Sequence, residues 1–347
     1  MLKSVKVPLL IIMLTVASFA VPITVAAASV PILNFDEDIS EWSLAGGFFY
    51  LTDTCTDFSI QTKAYIQRRV IYSTLFATLQ TIDGRPQCRT FRHADTDESG
   101  IYYYNRNLGR LEAIYSDRPL DPPTTLATIG DWGRIGTGEG ISTLRVHGSF
   151  VYWIESISNG ELDPDDISIK RVPKTGGVVK TLISYDTASR ASFEGLGITN
   201  SYIWWTDSDG LNRIDSCLFS PCLPGPVTKE VEFPLAANDG HIEISGTTVY
   251  WWTGNENPER IRRTSCSRIS GNCTTSILHS TTSNTQLVGL SANSTAAWWV
   301  ENITPGGNRL RRKAISGGIA ETLEEGIHRA TPYLDVDGVY FQTDIDT

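Results

Sequence analysis

The sequence has few basic residues for its length, and acidic side chains outnumber them. Its 347 residues include 29 Lys and Arg against 39 Asp and Glu, which gives a formal charge of −10 at pH 7. Surfaces that bind nucleic acid or anionic membranes are rich in Lys and Arg. The composition therefore argues against both kinds of partner.

Common catalytic motifs are also missing. The chain contains no G-x-S-x-G turn, no H-E-x-x-H helix and no glycine-rich phosphate loop. Histidines are few, namely His93, His147, His241, His279 and His328. These absences weaken the case for an enzyme without closing it, because a histidine at the mouth of a channel can act as a general base.

The amino terminus has the pattern of a secretory signal peptide. Lys3 and Lys6 precede an apolar run that starts at Pro8 and ends in small residues near Ala28. This order predicts cleavage of residues 1–28 and export of residues 29–347 as one domain, to the periplasm, the cell surface or the medium. The alternative is an uncleaved anchor, since the run is long enough to span a bilayer. After cleavage we expect a monomer with no membrane insertion.

Six cysteines lie in the exported part, an even number in a compartment that permits disulfides. Spacing predicts two local pairs and leaves one further pair: Cys217–Cys222, Cys266–Cys273 and Cys55–Cys88. Sequence alone does not prove this connectivity. A zinc site is disfavoured because no C-x-x-C pair occurs and no histidine lies nearby.

Helical periodicity is almost absent, and one aromatic strand pattern recurs instead. Copies such as "VYWIE", "YIWWTD", "VYWW" and "AAWWVE" recur every 43 to 53 residues. The aligned aromatics are Tyr50, Tyr103, Trp153, Trp204, Trp251, Trp298 and Phe341. Around each copy lie three further short strand patterns joined by turns. Four strands per repeat of this length predict the blades of an all-β propeller.

Tryptophan doublets such as Trp251–Trp252 fit this architecture. Neighbouring residues on a strand point to opposite faces, and a middle strand of a blade is buried on both. The two rings are therefore predicted to fill the gaps on either side of one blade. The alternative is an exposed platform for stacking sugars.

The aromatic strands resemble those of YWTD-type propellers, the class found in low-density-lipoprotein-receptor ectodomains, and those of bacterial secreted propellers of unknown function. "WWTD" at Trp204 to Asp207 is the best match and "YLTD" at Tyr50 to Asp53 the next. The resemblance implies a secreted propeller, but propellers of that class have six blades. Here we predict seven, the last being a composite that Val30–Phe35 completes, with six as the alternative.

The innermost strand of each blade lines the central channel. Its middle position is predicted to hold Ser43, Arg145, Gly197, Glu243, Gly289 and Asp335. The candidate ligand-binding residues are therefore Arg145, Glu243 and Asp335, together with His147 and His241 on the same strands. The alternative is that these charged groups bind no ligand and are solvated by channel water or paired with one another.

Acidic turns and recurring arginines are the remaining candidates for chemistry. "DTDESG" from Asp95 and "DVDG" from Asp335 have spacings that calcium loops use, so calcium is possible, but Asp and Gly also serve ordinary tight turns. Arginine recurs on the third strands as Arg69, Arg171, Arg213, Arg263 and Arg312. We expect these side chains to cover neighbouring aromatic rings.

Rigid rings hold variable loops in fixed relative positions, which suits recognition. The sequence thus favours a non-catalytic binding protein that recognises a protein or glycan through loops on one face, without a required cofactor. The alternative is a secreted lyase or hydrolase with its site at the channel mouth. A purely structural adhesion module is a third possibility.

Overall fold

A computed structural model describes residues 39–340 except for short gaps. The gaps are 46–47, 55–62, 71–75, 84–90, 106–107, 130–137, 159–165, 187–194, 208–209, 216–227, 233–239, 254–255, 268–271, 305–306, 328–332 and 336–337. The side chains discussed below lie between His93 and Ile327. By its contacts the chain divides into units Met1–Val30 and Pro31–Thr347, and every described residue belongs to the second.

The described chain forms six four-stranded antiparallel sheets and one two-stranded sheet. The first three sheets are β1 (Ile39–Ala45), β2 (Phe48–Thr54), β3 (Lys63–Val70) and β4 (Phe76–Asp83); β5 (Phe91–Asp97), β6 (Gly100–Asn105), β7 (Arg110–Tyr115) and β8 (Thr124–Thr128); and β9 (Gly138–His147), β10 (Phe150–Ser158), β11 (Asp166–Pro173) and β12 (Lys180–Asp186). The next three are β13 (Leu196–Ile198), β14 (Tyr202–Asp207), β15 (Gly210–Asp215) and β16 (Thr228–Glu232); β17 (Gly240–Ser245), β18 (Thr248–Thr253), β19 (Arg260–Cys266) and β20 (Cys273–Ser280); and β21 (Thr285–Ala292), β22 (Ala296–Ile303), β23 (Gly307–Ala314) and β24 (Glu321–Glu325). The last contains β25 (Tyr333–Asp335) and β26 (Gly338–Tyr340).

The sheets succeed one another around a ring. Each first strand contacts the first strand of the next sheet, from β1 through β5, β9, β13 and β17 to β21. Strand β25 contacts both β21 and β1, so the two-stranded sheet lies between the sixth sheet and the first. This is the predicted all-β propeller. Val30–Phe35 lies outside the described residues, so the composite blade and the count of seven remain predictions.

The tryptophan doublets fill the gaps between sheets, as predicted. Trp251 is fully buried and packs with Trp204 and Leu211 of the preceding sheet. Trp252 points the other way and packs with Leu290 and Trp299 of the following sheet. Adjacent residues on one strand thus hold two neighbouring sheets against their own, and no described tryptophan of the doublets is left as an exposed platform.

The strand register corrects the repeat alignment by one residue in three copies, those aligned on Tyr50, Trp204 and Trp298. Trp251 pairs with Ile242, as Trp205 pairs with Leu196 and Trp299 with Leu290. The structural equivalents of Trp251 are therefore the second tryptophans of the other doublets rather than Trp204 and Trp298. An alignment of aromatic letters misses this shift because both members of a doublet are aromatic.

Three of the four recurring arginines whose side chains are described cover aromatic rings, whereas Arg263 donates hydrogen bonds to Ser276 and to the carbonyl oxygen of Ile315. The guanidinium carbon of Arg171 lies 4.3 Å from the ring centroid of Phe150, and that of Arg213 lies 4.2 Å from Tyr202. Arg312 lies 5.7 Å from the ring of Trp298. These contacts confirm the predicted packing role for three of the arginines. The side chain of Arg69 lies outside the described residues.

One predicted disulfide is present. Cys266 and Cys273 are directly paired across β19 and β20 and are bonded to each other. The side chains of Cys55, Cys88, Cys217 and Cys222 lie outside the described residues, as does the predicted signal peptide. None of the described segments includes a helix with the length and hydropathy needed to cross a membrane.

Replacing Trp251 with alanine tests the packing between sheets. The Trp251→Ala variant should lose about 3–5 kcal/mol of unfolding free energy, because a large ring would leave a cavity between two sheets. Urea unfolding followed by circular dichroism measures the loss. Ile277→Ala, an exposed change in the same sheet, should cost less than about 0.5 kcal/mol. Equal stability of the two variants would contradict the proposed role of Trp251.

The remaining disulfides are testable by peptide mapping. Digestion of the exported protein without reduction should yield crosslinked peptides joining Cys55 to Cys88 and Cys217 to Cys222, beside the Cys266–Cys273 pair. Mass spectrometry before and after reduction identifies each pair. Any free thiol, or a peptide joining Cys88 to Cys217, would show that the predicted connectivity is wrong.

Candidate functional site

Antiparallel pairing places two kinds of connection on the same face of the ring. The connections between the first and second strands and between the third and fourth strands of every sheet lie on one face, here named face A. The connections between second and third strands lie on the opposite face, face B. Contacts between sheets agree, since Lys174 of the β11–β12 connection pairs with Asp97 at the β5–β6 turn. His147 likewise bonds to Asn200 in the turn of the next sheet, at 2.9 Å.

A ring of equivalent inner-strand positions lies just below face A. Counted from the inner turn, the same pair of the ladder contains Arg145↔Tyr152, Gly197↔Trp204 and Glu243↔Tyr250. We name this set of positions the channel level. In the remaining sheets its inner-strand residues are Ser43, Asp95, Ser291 and Tyr333.

The register agrees with four of the predicted channel positions and moves two others. Gly289 lies two residues deeper than Ser291, at the depth of His241. Asp335 pairs with Gly338 beside the turn, so Tyr333 occupies the channel level. Shifts of two residues preserve the side of a strand, which is why the apolar alternation did not reveal them. The side chain of Asp335 lies outside the described residues.

Asp95 is a channel residue that the sequence pattern assigns to an acidic turn. It lies on inner strand β5, which has an irregular register between Arg92 and Asp95. Its two carboxylate oxygens accept hydrogen bonds from the backbone N–H groups of Thr96, at 3.0 Å, and Val146, at 2.7 Å. Burial raises the pKa of Asp95, and the positive charge of Arg145 opposes that rise. The bulge disguised the strand by breaking its alternation.

Three of the five predicted ligand-binding residues form an electrostatically coupled group with Asp95. Burial raises the pKa of Glu243 to about 7, with Arg145 lowering it and Asp95 raising it further. Burial and the nearby Arg145 lower the pKa of His241 to about 4. His241 stacks on Trp252, with centroids 4.6 Å apart, and its Nε2 lies 3.2 Å from the carbonyl oxygen of Leu290. Arg145 therefore affects the pKa of all three other groups, Asp95, His241 and Glu243.

His147 occupies a different place. It lies at the inner turn on face A, where it bonds to Asn200, rather than in the coupled group. The structure thus brings Arg145, His241 and Glu243 together and leaves His147 at the rim.

The acidic turn at Asp97 is satisfied by protein groups. Oδ1 of Asp97 accepts a hydrogen bond from the backbone N–H of Ser99 at 2.9 Å, and Oδ2 pairs with Lys174. Among the described residues, no three His, Cys, Asp or Glu side chains are grouped so as to hold a metal ion. Calcium at the other acidic turns remains a prediction.

Face A also carries exposed apolar side chains on its outer connections. Leu120 lies between β7 and β8, Val178 between β11 and β12, and Ile319 between β23 and β24. Their exposed fractions are 81%, 87% and 95%. A shallow pocket of about 170 Å³ lies beside Leu120, lined by residues that include Tyr115, Arg118 and Pro122. This volume is smaller than that of typical small-molecule sites.

Comparisons with solved structures place the fold among the β-propellers. A prolyl endopeptidase aligns with a TM-score of 0.56 and 12% identity over 89% of this chain and 47% of that chain. A protein from Lactobacillus plantarum aligns at 0.54 and 12% identity, over 85% of this chain and 86% of that one. A puromycin-hydrolysing peptidase from Mycobacterium tuberculosis aligns at 0.50 and 10% identity, over 86% and 56%.

These similarities define the architecture alone. The chain spans about half the length of the two peptidases that it matches. A nidogen/laminin complex aligns at a TM-score of only 0.43 with 18% identity, which is too remote to assign the chain to the YWTD class. No protein-family model and no curated protein matches the sequence.

The raised pKa of Glu243 predicts a pH-dependent effect of its replacement. The native state keeps this proton up to about pH 7, whereas the unfolded chain loses it near 4.5. Between pH 4.5 and pH 7 the side chain ionises in the unfolded chain but stays protonated in the native state. Ionisation stabilises the unfolded chain, so the free energy of unfolding falls as the pH rises through this range. Glu243→Gln should remove that penalty and gain on the order of 2 kcal/mol relative to wild type between pH 4 and pH 8.

Urea unfolding at both pH values measures the difference. Glu325→Gln, an exposed change on β24, serves as the control and should shift stability equally at the two pH values. A difference between Glu243→Gln and wild type that does not grow with pH would contradict the proposed environment of Glu243.

Proposed function

We propose that this propeller is an exported, non-catalytic binding protein that recognises another protein through face A. The observation that carries the proposal is the exposure of Leu120, Val178 and Ile319 on the same type of connection in three different sheets. Isolated exposed apolar residues are ordinary, but a set repeated on one face of a rigid ring is typical of a protein contact surface.

A protein ligand is favoured over a glycan. Sugar-binding surfaces stack their ligands on exposed aromatic rings. Among the residues whose exposure the structure describes, no Phe, Tyr or Trp is exposed, and the large exposed apolar residues are Leu, Val and Ile. Aliphatic side chains bury area against a protein partner but offer no flat ring to a sugar.

The contact loops are held before any partner arrives. Tyr115, at the start of the connection that carries Leu120, donates a hydrogen bond of 2.6 Å from its hydroxyl to the carbonyl oxygen of Lys174. Lys174, at the start of the connection that carries Val178, pairs in turn with Asp97. Connections of neighbouring sheets thus brace each other, which lowers the entropy lost on binding.

An extracytoplasmic location follows from the same proposal. The predicted signal peptide supports it, as does the Cys266–Cys273 disulfide, because such bonds persist in oxidising compartments. Kinship with YWTD-type propellers is also proposed, on the strength of "WWTD" at Trp204 to Asp207.

The second candidate is a lyase or hydrolase at the channel mouth. It is favoured by one observation: Arg145 affects the pKa of His241 and of two carboxyl groups, Asp95 and Glu243, and the pKa of Glu243 is about 7. Such a group can donate and accept protons near neutral pH. This function predicts turnover that both His241→Asn and Glu243→Gln abolish while binding at face A is unchanged.

Site-specific photocrosslinking tests the binding proposal. With p-benzoylphenylalanine in place of Val178 on face A, the exported protein should crosslink to a protein partner in the cells that produce it. The matched control carries p-benzoylphenylalanine in place of Leu108, an exposed residue on face B, and should not crosslink to the partner. Adding Leu120→Ser and Ile319→Ser to the Val178 probe should reduce the crosslink at least tenfold.

Equal crosslinking from both faces would contradict the proposal. A glycan array that binds the protein equally well after all three face A residues are changed to serine would favour a glycan ligand instead. If a chelator lowered the melting temperature of the protein, that result would indicate that the native protein binds a cation such as calcium.

A further inference from the structure

Arg145 and Glu243 face the same channel with unused bonding capacity. Nη1 of Arg145 donates to the carbonyl oxygen of Leu144 at 2.9 Å, which uses one of its five N–H donors. Among the described residues, no carboxylate lies within 4.0 Å of this guanidinium, and the carboxyl group of Glu243 has no hydrogen-bond partner. Both side chains are only partly exposed. The charge of Arg145 lowers the pKa of Glu243 although the two side chains form no ion pair.

A glycine, Gly197, lies at the same level on the strand between them. Gly197 of β13 lies between β9, which carries Arg145, and β17, which carries Glu243. A Cβ atom on Gly197 would come within 2.7 Å of Ile242 Cγ2, so only glycine allows β13 to approach β17 this closely. Between Arg145 and Glu243, the channel level therefore consists of backbone that carries no side chain.

His241 supplies an acceptor on the Glu243 side. A carbonyl oxygen only accepts, so Nε2 of His241 must carry the hydrogen that bonds to Leu290. With its pKa lowered to about 4, the ring is neutral at pH 7 and Nδ1 keeps a lone pair. Stacking on Trp252 fixes the orientation of the ring.

The other charged groups nearby are occupied. Both oxygens of Asp95 accept backbone N–H bonds, which hold its carboxyl group against the strands. Asp97 is paired with Lys174 at the rim, and His147 is bonded to Asn200. Among the described residues, Arg145 keeps unused donors, and Glu243 and His241 keep unused acceptors.

We propose that the channel level binds a small zwitterion that carries a carboxylate and an ammonium group close together, as an α-amino acid does. The carboxylate accepts hydrogen bonds from Arg145, and the ammonium group donates to Glu243 and to Nδ1 of His241. A simple anion would leave both acceptors unused. A simple cation would be repelled by the guanidinium. This site is separate from the protein-binding surface of face A.

Binding has a consequence for protons. The ammonium group favours the ionised form of Glu243, so binding should lower the pKa of that residue from its value of about 7. At pH 7 the complex should therefore release part of a proton. A simple anion would raise the pKa of Glu243 and cause proton uptake instead.

Isothermal titration calorimetry of the purified protein with L-alanine at pH 7 tests the proposal. Titrations in phosphate and in Tris, which differ in ionisation enthalpy, should show release of a fraction of a proton. Acetate and methylammonium should bind at least tenfold more weakly than L-alanine. Glu243→Gln and Arg145→Met should each weaken binding at least tenfold, and Glu243→Gln should also abolish the proton release.

Two control variants distinguish binding in the channel from binding at the rim or on face A. His147→Asn at the rim should leave the affinity unchanged, and so should the triple change of Leu120, Val178 and Ile319 to serine. Tryptophan fluorescence confirms that each variant is folded. If acetate bound as tightly as L-alanine and its binding took up protons, the site would bind anions and the zwitterion proposal would be wrong. Lack of binding at millimolar L-alanine, or binding unaffected by Glu243→Gln, would overturn the proposal.

Discussion

Burial of aromatic rings on both sides of each second strand is the constraint on which the structure depends. Trp251 and Trp252 are adjacent in sequence and belong to different inter-sheet clusters. Strand β18 therefore joins its sheet to both neighbouring sheets. Because large rings bury much apolar area, closing the ring is the only arrangement that leaves no such face in water.

These cores also contain polar groups, and most are satisfied in a recurring way. The indole N–H of Trp153 donates to Glu155 and that of Trp299 donates to Glu301, at 2.9 and 2.8 Å. Burial opposes the charge of Glu301, yet hydrogen bonds from His279, Trp299 and Arg309 lower its pKa to about 2. In both cases, a carboxylate two residues after a tryptophan accepts a hydrogen bond from the indole N–H and another from a Lys or Arg side chain on the neighbouring strand. The bond from His279 of β20 to Glu301 of β22 also links two neighbouring sheets.

The same construction separates the two ligand sites proposed above. The ring holds its outer connections rigidly on face A, where apolar side chains are exposed. It also brings four polar side chains from three inner strands into one channel. Recognition of a partner by the outer connections of face A need not interfere with a small ligand at the channel level, because different strands of each sheet supply the two surfaces.

The sequence by itself determined the fold class, because a strand buried on both faces must carry large side chains in both directions and that pattern repeats along the chain. It also identified Arg145, His241 and Glu243, since charged residues stand out on otherwise apolar inner strands. Only the tertiary structure decided the register. A bulge concealed Asp95, and shifts of two residues moved Gly289 and Asp335 away from the channel level while preserving the alternation. Which charges meet in the channel depends on contacts between sheets that are distant in sequence, and no local pattern records them.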